Sequence, residues 1–380
     1  MSVYVRALGS ALARAGVEVD VLARADHAET PRAVSVEERF RVVNLDVGPC
    51  GPVDRGELLD LVPDLVEASR RHLEMSPADV LHANYWVSGT VAHKLKHELA
   101  LPLIATFHTL ALVKAEAGFA DDSEARLEIE REVARCSDLV LASTEAERAE
   151  LIARYQASDE RVEVLPPGVD RSVFSPGDRD QARRQLGLDG RRVLLFVGRI
   201  QALKGADVAV RALAELDDPS TTLLVVGGPS GPDGEHELAR LRDLVGDLDL
   251  DDRVRFVPPQ PHAALPAFYR AADVCVVPSR TESFGLVALE AAACATPVVA
   301  SDVGGLRTLV GDGETGTLVG AGSVPDTARA IEQILVDGQL AGSMGARAAA
   351  RAGGFTWTLA AARLRRLVAD LGARALVECR

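Results

Sequence analysis

The chain has 380 residues, 47% hydrophobic and 26% charged, which is long enough for two globular domains and too apolar for a disordered chain. Its formal net charge of −14 argues against binding to a nucleic-acid backbone, because that affinity depends on clustered Lys and Arg. No run approaches 18 uninterrupted apolar residues, and the first residues lack the layout of a signal peptide. These features predict a cytoplasmic protein with no integral membrane segment.

The cysteines are scattered and include no C-x-x-C pair. There are five of them: Cys50, Cys136, Cys275, Cys294 and Cys379. Several lie in apolar runs, so the sequence predicts reduced thiols rather than a disulfide or a metal site.

The first half of the chain alternates short apolar strands with amphipathic helices. The predicted strands are VEVDVLA, FRVVNLDV, ADVLHA, LPLIATF, DLVLAST and RVEVLPPG. The predicted helices between them are ELLDLVPDLVEASRRHLE, SGTVAHKLKHEL and SEARLEIEREVARC. Near-continuous Val and Leu strands separated by helices indicate a parallel sheet covered on both faces.

The second half repeats this alternation more regularly. Its predicted strands are VLLFVGR, TTLLVVGG, RVRFVPP, DVCVVPS, PVVAS and TGTLVG. The Pro- and Gly-rich stretch LPPGVDRSVFSPGD, residues 165–178, is the natural boundary between the halves. The sequence therefore predicts an α/β protein of two doubly wound, Rossmann-like domains. Ligands of such sheets bind beyond the carboxyl ends of the strands, so two facing domains imply a cleft site.

The N-terminal stretch MSVYVRALGSALARAGVEVD begins directly with a predicted helix that ends at Gly16. A doubly wound domain normally opens with a strand and a turn that lead into this helix. A fold that simply starts with a helix is the alternative.

The stretch FVGRIQALKGAD follows a predicted strand and contains two cations, Arg199 and Lys204, in a loop bracketed by glycines. Cations and backbone N–H groups in such a loop suit a phosphate-bearing ligand. A solvated basic loop is the alternative. The loop VVGGPSG is weak evidence by itself, because glycines often mark only a tight turn.

The stretch SRTESFGLVALE places Glu282 and Glu290 on either side of a Ser-Phe-Gly turn, with a helix predicted to start near Leu286. The unpaired N–H groups at the start of that helix suit a diphosphate. Carboxylates suit hydroxyl groups instead, such as those of a sugar ring and a ribose. Capping carboxylates at a helix start are the alternative. The nearby cations favour a nucleotide-sugar.

The motifs VGRIQALKG, GGPSG, ESFGLVALE and TPVVASDVGGL resemble those of the retaining glycosyltransferases of the GT-B fold, family 4, over essentially the whole chain. The resemblance implies that Arg199 and Lys204 bind the donor diphosphate, Glu282 the donor sugar and Glu290 the nucleotide ribose. The other donor-binding residues that it implies are Gly198, Gln260, Ser283, Phe284, Gly285 and Leu286. It also implies domains at 1–168, completed by a C-terminal helix at 356–380, and at 175–355.

The acceptor is expected in the first domain, at HANYWVSG and TFHTLALVK, which each follow a predicted strand. His108 ends its strand within Thr-Phe-His-Thr, which favours a catalytic role, whereas His82, His93 and His97 are interpreted as structural. Both stretches resemble the subfamily that glycosylates D-inositol 3-phosphate in mycothiol synthesis and, more distantly, the sucrose-phosphate synthases. The implied ligands of an acceptor phosphate are Arg55, Tyr85, Thr109 and Arg126, where Arg55 replaces a family Lys in a poorly matching stretch.

The resemblance implies transfer of a sugar, expected to be N-acetylglucosamine, from a UDP-sugar to a phosphorylated polyol with retention of configuration. Arg199 and Lys204 would stabilise the departing diphosphate, so no metal and no cofactor is expected to be required. Family members carry a first strand and a Gly-Gly loop before the residues that match Met1, and a start codon assigned too late would explain the difference. The partners expected are the donor and the acceptor, and a homodimer is compatible with the resemblance.

Other classes remain open at this point. A family-4 transferase with another acceptor, such as a sugar phosphate, a lipid or a glycan, would share these motifs. A non-catalytic nucleotide-sugar binder is expected if the N-terminal truncation is real. A nucleotide-sugar isomerase would not need the acceptor-phosphate residues. A dehydrogenase would need a G-x-G-x-x-G turn after a strand, and none is evident.

Overall fold

The computed structural model describes residues 2–51, 53, 55–119, 124–188, 190–216, 218–231, 233–372 and 374–379, and leaves the side chains of residues 55 and 56 undescribed. The chain forms two compact units. Unit 1 comprises Met1–Pro167 and Trp357–Arg380, and unit 2 comprises Gly168–Thr356. The chain therefore leaves unit 1 within the Pro- and Gly-rich stretch and returns to it at the last helix.

Unit 1 contains seven strands among its described residues, arranged in two sheets. The strands are β1 (Val19–Arg24), β2 (Ala33–Glu37), β3 (Phe40–Leu45), β4 (Leu81–Asn84), β5 (Leu103–Thr106), β6 (Leu139–Ala142) and β7 (Val162–Val164). One sheet has the order β1-β3-β2, and the other is parallel with the order β4-β5-β6-β7. Every residue of β5 and β6 is buried, as expected for strands that are covered on both faces.

Helices surround these two sheets. They are α1 (Ser2–Arg14), α2 (Arg55–Asp60), α3 (Val62–Met75), α4 (Trp86–Leu99), α5 (Ala111–Glu116), α6 (Glu124–Cys136), α7 (Glu145–Tyr155) and, at the end of the chain, α16 (Trp357–Leu371). The first helix packs on the last one, where the rings of Tyr4 and Trp357 meet edge to face at 5.4 Å. Trp357 is thus a packing residue of unit 1.

Unit 2 contains one parallel sheet of six strands in the order β10-β9-β8-β11-β12-β13. Its strands are β8 (Arg192–Val197), β9 (Thr221–Val226), β10 (Val254–Val257), β11 (Val274–Val277), β12 (Val298–Ser301) and β13 (Gly316–Val319). Successive residues of β8 enter different cores, Val193 and Leu195 on one face and Leu194 and Phe196 on the other. Burial on both faces explains the continuous apolar runs.

The helices of unit 2 cover both faces of this sheet. They are α8 (Arg179–Leu186), α9 (Ala206–Glu215), α10 (Gly234–Asp247), α11 (Leu265–Ala271), α12 (Leu286–Ala293), α13 (Leu306–Leu309), α14 (Val324–Val336) and α15 (Gly338–Ala352). The prediction of a doubly wound, parallel-sheet architecture is confirmed. None of the helices within the described ranges is long and apolar enough to cross a membrane.

Two local features differ from the sequence prediction. Strand β2 was not predicted, because its AVSVE sequence alternates polar and apolar residues at an exposed edge instead of forming an apolar run. It pairs with β3 in the antiparallel direction. The helix predicted over ELLDLVPDLVEASRRHLE is two helices, α2 and α3, and Pro63 lies in the first turn of the second.

The cysteine prediction is wrong for one pair. Cys136, at the end of α6, forms a disulfide with Cys379, 243 residues further along the chain. The last residues return to unit 1 because the backbone N–H of Val377 donates to the carboxylate of Asp138 at 2.7 Å. The spacing of the cysteines in the sequence does not predict this tertiary contact. The other three cysteines are free, and Cys275 and Cys294 are buried.

Candidate active site

The loop that follows β8 presents the first predicted donor-binding residues. Gly198 lies beside β9, and a side chain at Gly227 would meet the Gly198 carbonyl oxygen at 1.8 Å, so the two loops are in backbone contact. Arg199 is exposed, and its guanidinium has no hydrogen bond or ion pair within the described part of the chain. The charge of Arg199 is therefore available to an anionic ligand.

Lys204 and Glu282 form the central pair of unit 2. The Lys204 Nζ donates to Glu282 Oε2 at 2.6 Å, and the Ser279 hydroxyl donates to the same oxygen at 3.3 Å. Both charged side chains are about four-fifths buried, and they border a small cavity whose floor includes Val276 and Val277. The structure thus brings together the residue predicted for the diphosphate and the residue predicted for the donor sugar.

An ion pair that was not predicted from the sequence joins the loop that carries Lys204 to the loop that carries Glu282. Arg280 donates to both carboxylate oxygens of Asp207, at 3.0 and 2.8 Å. Its backbone N–H donates to the Leu203 carbonyl at 2.8 Å. Arg280 is thereby a positioning residue that fixes Lys204 next to Glu282. Both residues belong to stretches that the sequence singles out, because Asp207 ends FVGRIQALKGAD and Arg280 is the second residue of SRTESFGLVALE.

The Ser283–Gly285 turn is held by tight backbone packing. Gly285 has a φ of +101°, and Gly304 has a φ of +45°. A side chain at Gly304 would meet the Glu282 carbonyl oxygen at 2.0 Å, and the Gly305 N–H donates to that same oxygen at 2.9 Å. Only glycine fits this contact, which explains the Gly-Gly pair in ASDVGGL.

Helix α12 begins directly after this turn. Phe284 is buried, and Gly285 occupies the N-cap position without a side-chain cap among the described residues. The first N–H groups of the helix, starting at Leu286, therefore lack a side-chain partner there and suit a phosphate. Ser283 lies in the turn itself, so the predicted donor-binding residues run without a gap from the Glu282 carboxylate to the start of α12 at Leu286.

Glu290 is buried in α12 and both its carboxylate oxygens are hydrogen bonded. The His262 Nε2 lies 2.7 Å from Oε1, and the Tyr269 hydroxyl donates to Oε2 at 2.8 Å. The hydrogen bond to Glu290 raises the pKa of His262 above its ordinary value, and burial raises the pKa of Tyr269. The sequence analysis did not identify His262 and Tyr269, which orient the carboxylate predicted to bind the ribose.

Gln260 lies in the loop after β10, two residues before His262. Its side-chain amide donates to the Pro258 carbonyl at 2.9 Å, and the side chain is half-buried. This contact leaves the amide oxygen of Gln260 as the atom that can accept a hydrogen bond from a donor nucleotide.

In unit 1 the predicted acceptor residues lie at the carboxyl ends of β4 and β5. Tyr85 follows β4 and has a φ of +85°, and His108 follows β5 and has a φ of +63°. Residues other than glycine rarely have a positive φ. Backbone strain of this kind is concentrated at functional sites. The two strands are adjacent in the sheet, and the His108 Nε2 lies 2.9 Å from Asn84 Oδ1. Asn84 was not identified from the sequence.

His108 is half-buried, and the loss of solvent around its ring lowers its pKa to about 3, so the ring is neutral at physiological pH. Its ring meets that of Tyr4 edge to face at 4.7 Å. Because Nε2 donates to Asn84, the other ring nitrogen carries the lone pair. His108 is therefore suited to hydrogen bonding with a hydroxyl and unsuited to acting as a cation. His82 is half-buried, and its ring hydrogen bonds the Thr106 hydroxyl at 2.9 Å, which agrees with a structural role.

Arg126 connects the other predicted acceptor residues. Its guanidinium donates to the Thr109 carbonyl at 3.0 Å and to the Thr109 hydroxyl at 3.3 Å, and it lies 5.3 Å from the centre of the Tyr85 ring. It also donates to the buried Glu130 at 2.6 Å, and only 1% of Arg126 is exposed. Burial raises the pKa of Glu130. The cation therefore lies beneath Tyr85 and Thr109 instead of on a helix surface.

The structure thus brings together two groups of predicted residues. Within unit 2, Lys204, Glu282 and the 283–286 turn adjoin one another. Within unit 1, Tyr85, Thr109 and Arg126 are in contact. The side chain of Arg55 lies outside the described residues, so its predicted role stays a prediction.

Family models match both units. Residues 1–168 match the model described as "Glycosyl transferase 4-like domain", and residues 178–351 match "Glycosyl transferases group 1". The D-inositol 3-phosphate glycosyltransferase of Kineococcus radiotolerans is 44% identical, over 94% of this chain and 87% of the relative. That relative is one of many with the same description at about this identity.

Solved structures show the same fold. Sucrose-phosphate synthase from Thermosynechococcus elongatus is 35% identical and has a TM-score of 0.92, with 98% of this chain and 93% of that chain covered. HepE of Anabaena, solved with UDP and glucose, has a TM-score of 0.75 at 24% identity and covers 87% of this chain and 86% of its own. The second likeness supports the fold alone.

Proposed function

Because this chain belongs to the group 1 glycosyl transferases and is a glycosyltransferase of the GT-B fold, we propose that it transfers N-acetylglucosamine from UDP-N-acetylglucosamine to an inositol phosphate. Its relatives described as D-inositol 3-phosphate glycosyltransferases support this acceptor, and the UDP-sugar donor is what the resemblance to the same subfamily implies. The choice of N-acetylglucosamine rests on the resemblance to the inositol-phosphate subfamily.

The observation that carries the phosphorylated acceptor is the contact of Arg126 with Thr109 and Tyr85. In a chain with a net charge of −14, a buried cation held against the Thr109 hydroxyl and the Tyr85 ring is a specific feature. This arrangement suits a phosphate group, because hydrogen bonds between charged groups are stronger than those between neutral ones. The hydroxyls of Tyr85 and Thr109 would contact the phosphate, with Arg126 supplying positive charge beneath them and Arg55 as a further ligand.

On the donor side, the exposed Arg199 and the Lys204 ammonium would bind the diphosphate together with the N–H groups at the start of α12. Glu282, released from its pair with Lys204 as the lysine turns to the diphosphate, would accept hydrogen bonds from the donor sugar. Glu290, already oriented by His262 and Tyr269, would accept them from the ribose.

The reaction that we propose breaks the bond between the anomeric carbon and the diphosphate oxygen and forms a bond from that carbon to the acceptor hydroxyl oxygen on the same face. The proton of the hydroxyl passes to the departing diphosphate. The cations and α12 stabilise the charge that develops on this leaving group, without a requirement for Mg²⁺. The neutral ring of His108 would hydrogen bond a hydroxyl of the acceptor.

The test is UDP release from UDP-N-acetylglucosamine by the full chain with 1L-myo-inositol 1-phosphate, fructose 6-phosphate or unphosphorylated inositol, with and without EDTA. We expect release that depends on inositol phosphate and is insensitive to EDTA. Equal release with phosphorylated and unphosphorylated inositol would contradict the acceptor assignment. Loss of activity in EDTA would contradict the metal-independent step.

A sugar phosphate is the second candidate acceptor. It is favoured by the TM-score of 0.92 to a sucrose-phosphate synthase at 35% identity. Release with fructose 6-phosphate and not with inositol phosphate would select this candidate, and the Arg126 cluster would then hold the phosphate of a hexose.

A further inference from the structure

The C-terminal segment carries a cysteine into a group of side chains that the glycosyl transfer does not use. His93 and His97 lie four residues apart in α4, so their rings project from the same face of the helix. Their Nε2 atoms are 3.1 Å apart. Ligand atoms of His93, His97 and Cys379 all lie within 4.8 Å of one another. The sulfur of Cys136 adjoins this group because it is bonded to that of Cys379.

The distances among His93, His97 and Cys379 agree with three ligands of one tetrahedral metal ion. With Zn–N bonds of about 2.0–2.1 Å, two nitrogen ligands of a tetrahedral zinc are about 3.3 Å apart, close to the observed separation. Two imidazoles and two thiolates form one of the sets that zinc uses in structural sites, and softer sulfur ligands disfavour Mg²⁺ and Ca²⁺. The Glu132 carboxylate lies 3.7 Å from the other ring nitrogen of His93, on the side where metal-binding histidines usually meet an orienting acceptor.

The segment that brings Cys379 here is anchored independently of the disulfide. Asp138 accepts hydrogen bonds from the Val377 N–H at 2.7 Å and from the buried Lys96 at 2.8 Å. Lys96 also donates to the Cys136 carbonyl at 2.7 Å. Helix α4, the end of α6 and the C-terminal segment therefore meet at one place even without the sulfur–sulfur bond.

We propose that the reduced protein binds one Zn²⁺ through His93, His97, Cys136 and Cys379, and that the Cys136–Cys379 disulfide is the metal-free alternative of the same site. Reduction by two thiol molecules yields two cysteine thiols and one disulfide of the reductant. Zinc then displaces one proton from each cysteine thiol, so two protons are released for each ion bound. The site closes the end of the chain onto unit 1 in both states.

The test measures zinc bound to the full-length protein after dialysis, in the disulfide form and after reduction with a phosphine that does not bind zinc. We expect about one zinc per reduced chain and almost none in the disulfide form. Replacement of His97, which is exposed, by Asn and of Cys379 by Ser should each abolish tight binding. His27→Asn and Cys50→Ser, at exposed positions elsewhere in unit 1, should bind as the unmodified protein does.

Cobalt provides a second measurement that does not depend on activity. The reduced protein with Co²⁺ should show the sulfur-to-cobalt charge-transfer absorption of thiolate ligation, and this absorption should weaken in Cys136→Ser. A reduced protein that takes up no zinc, or that binds it equally well as His97→Asn, would overturn the proposal. The two histidines would then form only an imidazole–imidazole hydrogen bond.

The rate of tryptic cleavage after Arg374 measures how often the C-terminal segment that carries Val377 and Cys379 opens. Arg374 is exposed and precedes the anchored residues. If cleavage requires the segment to open, zinc at about 100 times its Kd should slow cleavage of the reduced protein roughly 100-fold. Zinc should have no such effect on His97→Asn. Equal slowing in that variant would contradict the site.

Discussion

The proposed donor site of unit 2 and the proposed acceptor site of unit 1 are built in different ways. On the donor side, two neighbouring loops of unit 2 are locked by backbone contacts between glycines and carbonyls and by the Arg280–Asp207 pair. On the acceptor side, a buried cation in unit 1 holds together residues from two strand ends and a helix. Apart from Gln260, the predicted donor residues lie in two short motifs, at 198–204 and 282–290, whereas the described acceptor residues extend from Tyr85 to Arg126. A motif can therefore reveal the first group, and only tertiary contacts define the second.

The largest effect is expected on the unfolding free energy, when the buried Arg126 of the acceptor site is replaced. Arg126→Met leaves the Glu130 carboxylate buried without its partner, which typically costs about 3–5 kcal/mol of unfolding free energy. Urea unfolding measures this cost, and Arg131→Met, on the surface of the same helix, is the matched control. The double variant Arg126→Met, Glu130→Met should recover most of the stability while its preference for a phosphorylated acceptor stays lost. Recovery of that preference would show that Arg126 acts only in packing.

A substitution in the donor site should lower kcat/KM more than it lowers stability. Lys204→Met removes a cation from the predicted diphosphate site and should lower kcat/KM by about 10²–10³-fold. Because Lys204 and Glu282 each keep about a fifth of the side chain exposed, the Glu282 carboxylate left behind stays partly hydrated, and the unfolding free energy should fall by less than in Arg126→Met. Steady-state UDP release and urea unfolding check the two outcomes, with the exposed Arg329→Met as control. A large loss of stability in Lys204→Met with unchanged kcat/KM would contradict the expected difference between the proposed donor site and the proposed acceptor site.

The glycine contact of the donor loops predicts a smaller effect. Gly304→Ala would place a side chain against the Glu282 carbonyl at a φ of +45°, and this should cost about 1–3 kcal/mol. The KM for the donor should rise while the KM for the acceptor stays constant. Gly342→Ala, in α15 with open space around it, should instead stabilise the protein by about 0.5–1 kcal/mol. Equal changes in both KM values would show that the loop does not act on the donor alone.

The smallest effect is expected for pH. The hydrogen bond to Glu290 raises the pKa of His262, so the stabilisation from this pair is fully present below the ordinary histidine pKa and is lost as pH rises through the raised one. The KM for the donor should rise a few-fold above that pH, a modest change because solvent screens the half-exposed ring. His262→Gln should abolish the pH dependence. A profile identical in this variant would exclude His262 as the group that positions Glu290.

Much of the fold and the donor site could be predicted from the sequence. The apolar strands of unit 2 are continuous because both sheet faces are buried, and this pattern is readable without a structure. Glu282 and Lys204 were predicted from their motifs, and the structure places their charged groups 2.6 Å apart. The edge strand β2 was missed because most of its residues are exposed and its sequence is correspondingly mixed.

The sequence alone thus determined the doubly wound architecture and the residues of the donor motifs, because local periodicity and chain-adjacent loops encode both. Only the tertiary structure decided that Arg126 is buried against Glu130, that His262 and Tyr269 orient Glu290, and that Cys379 meets Cys136. These contacts join residues of different elements, and the last joins residues 243 positions apart. Their formation depends on how the elements pack, and no spacing in the sequence records it.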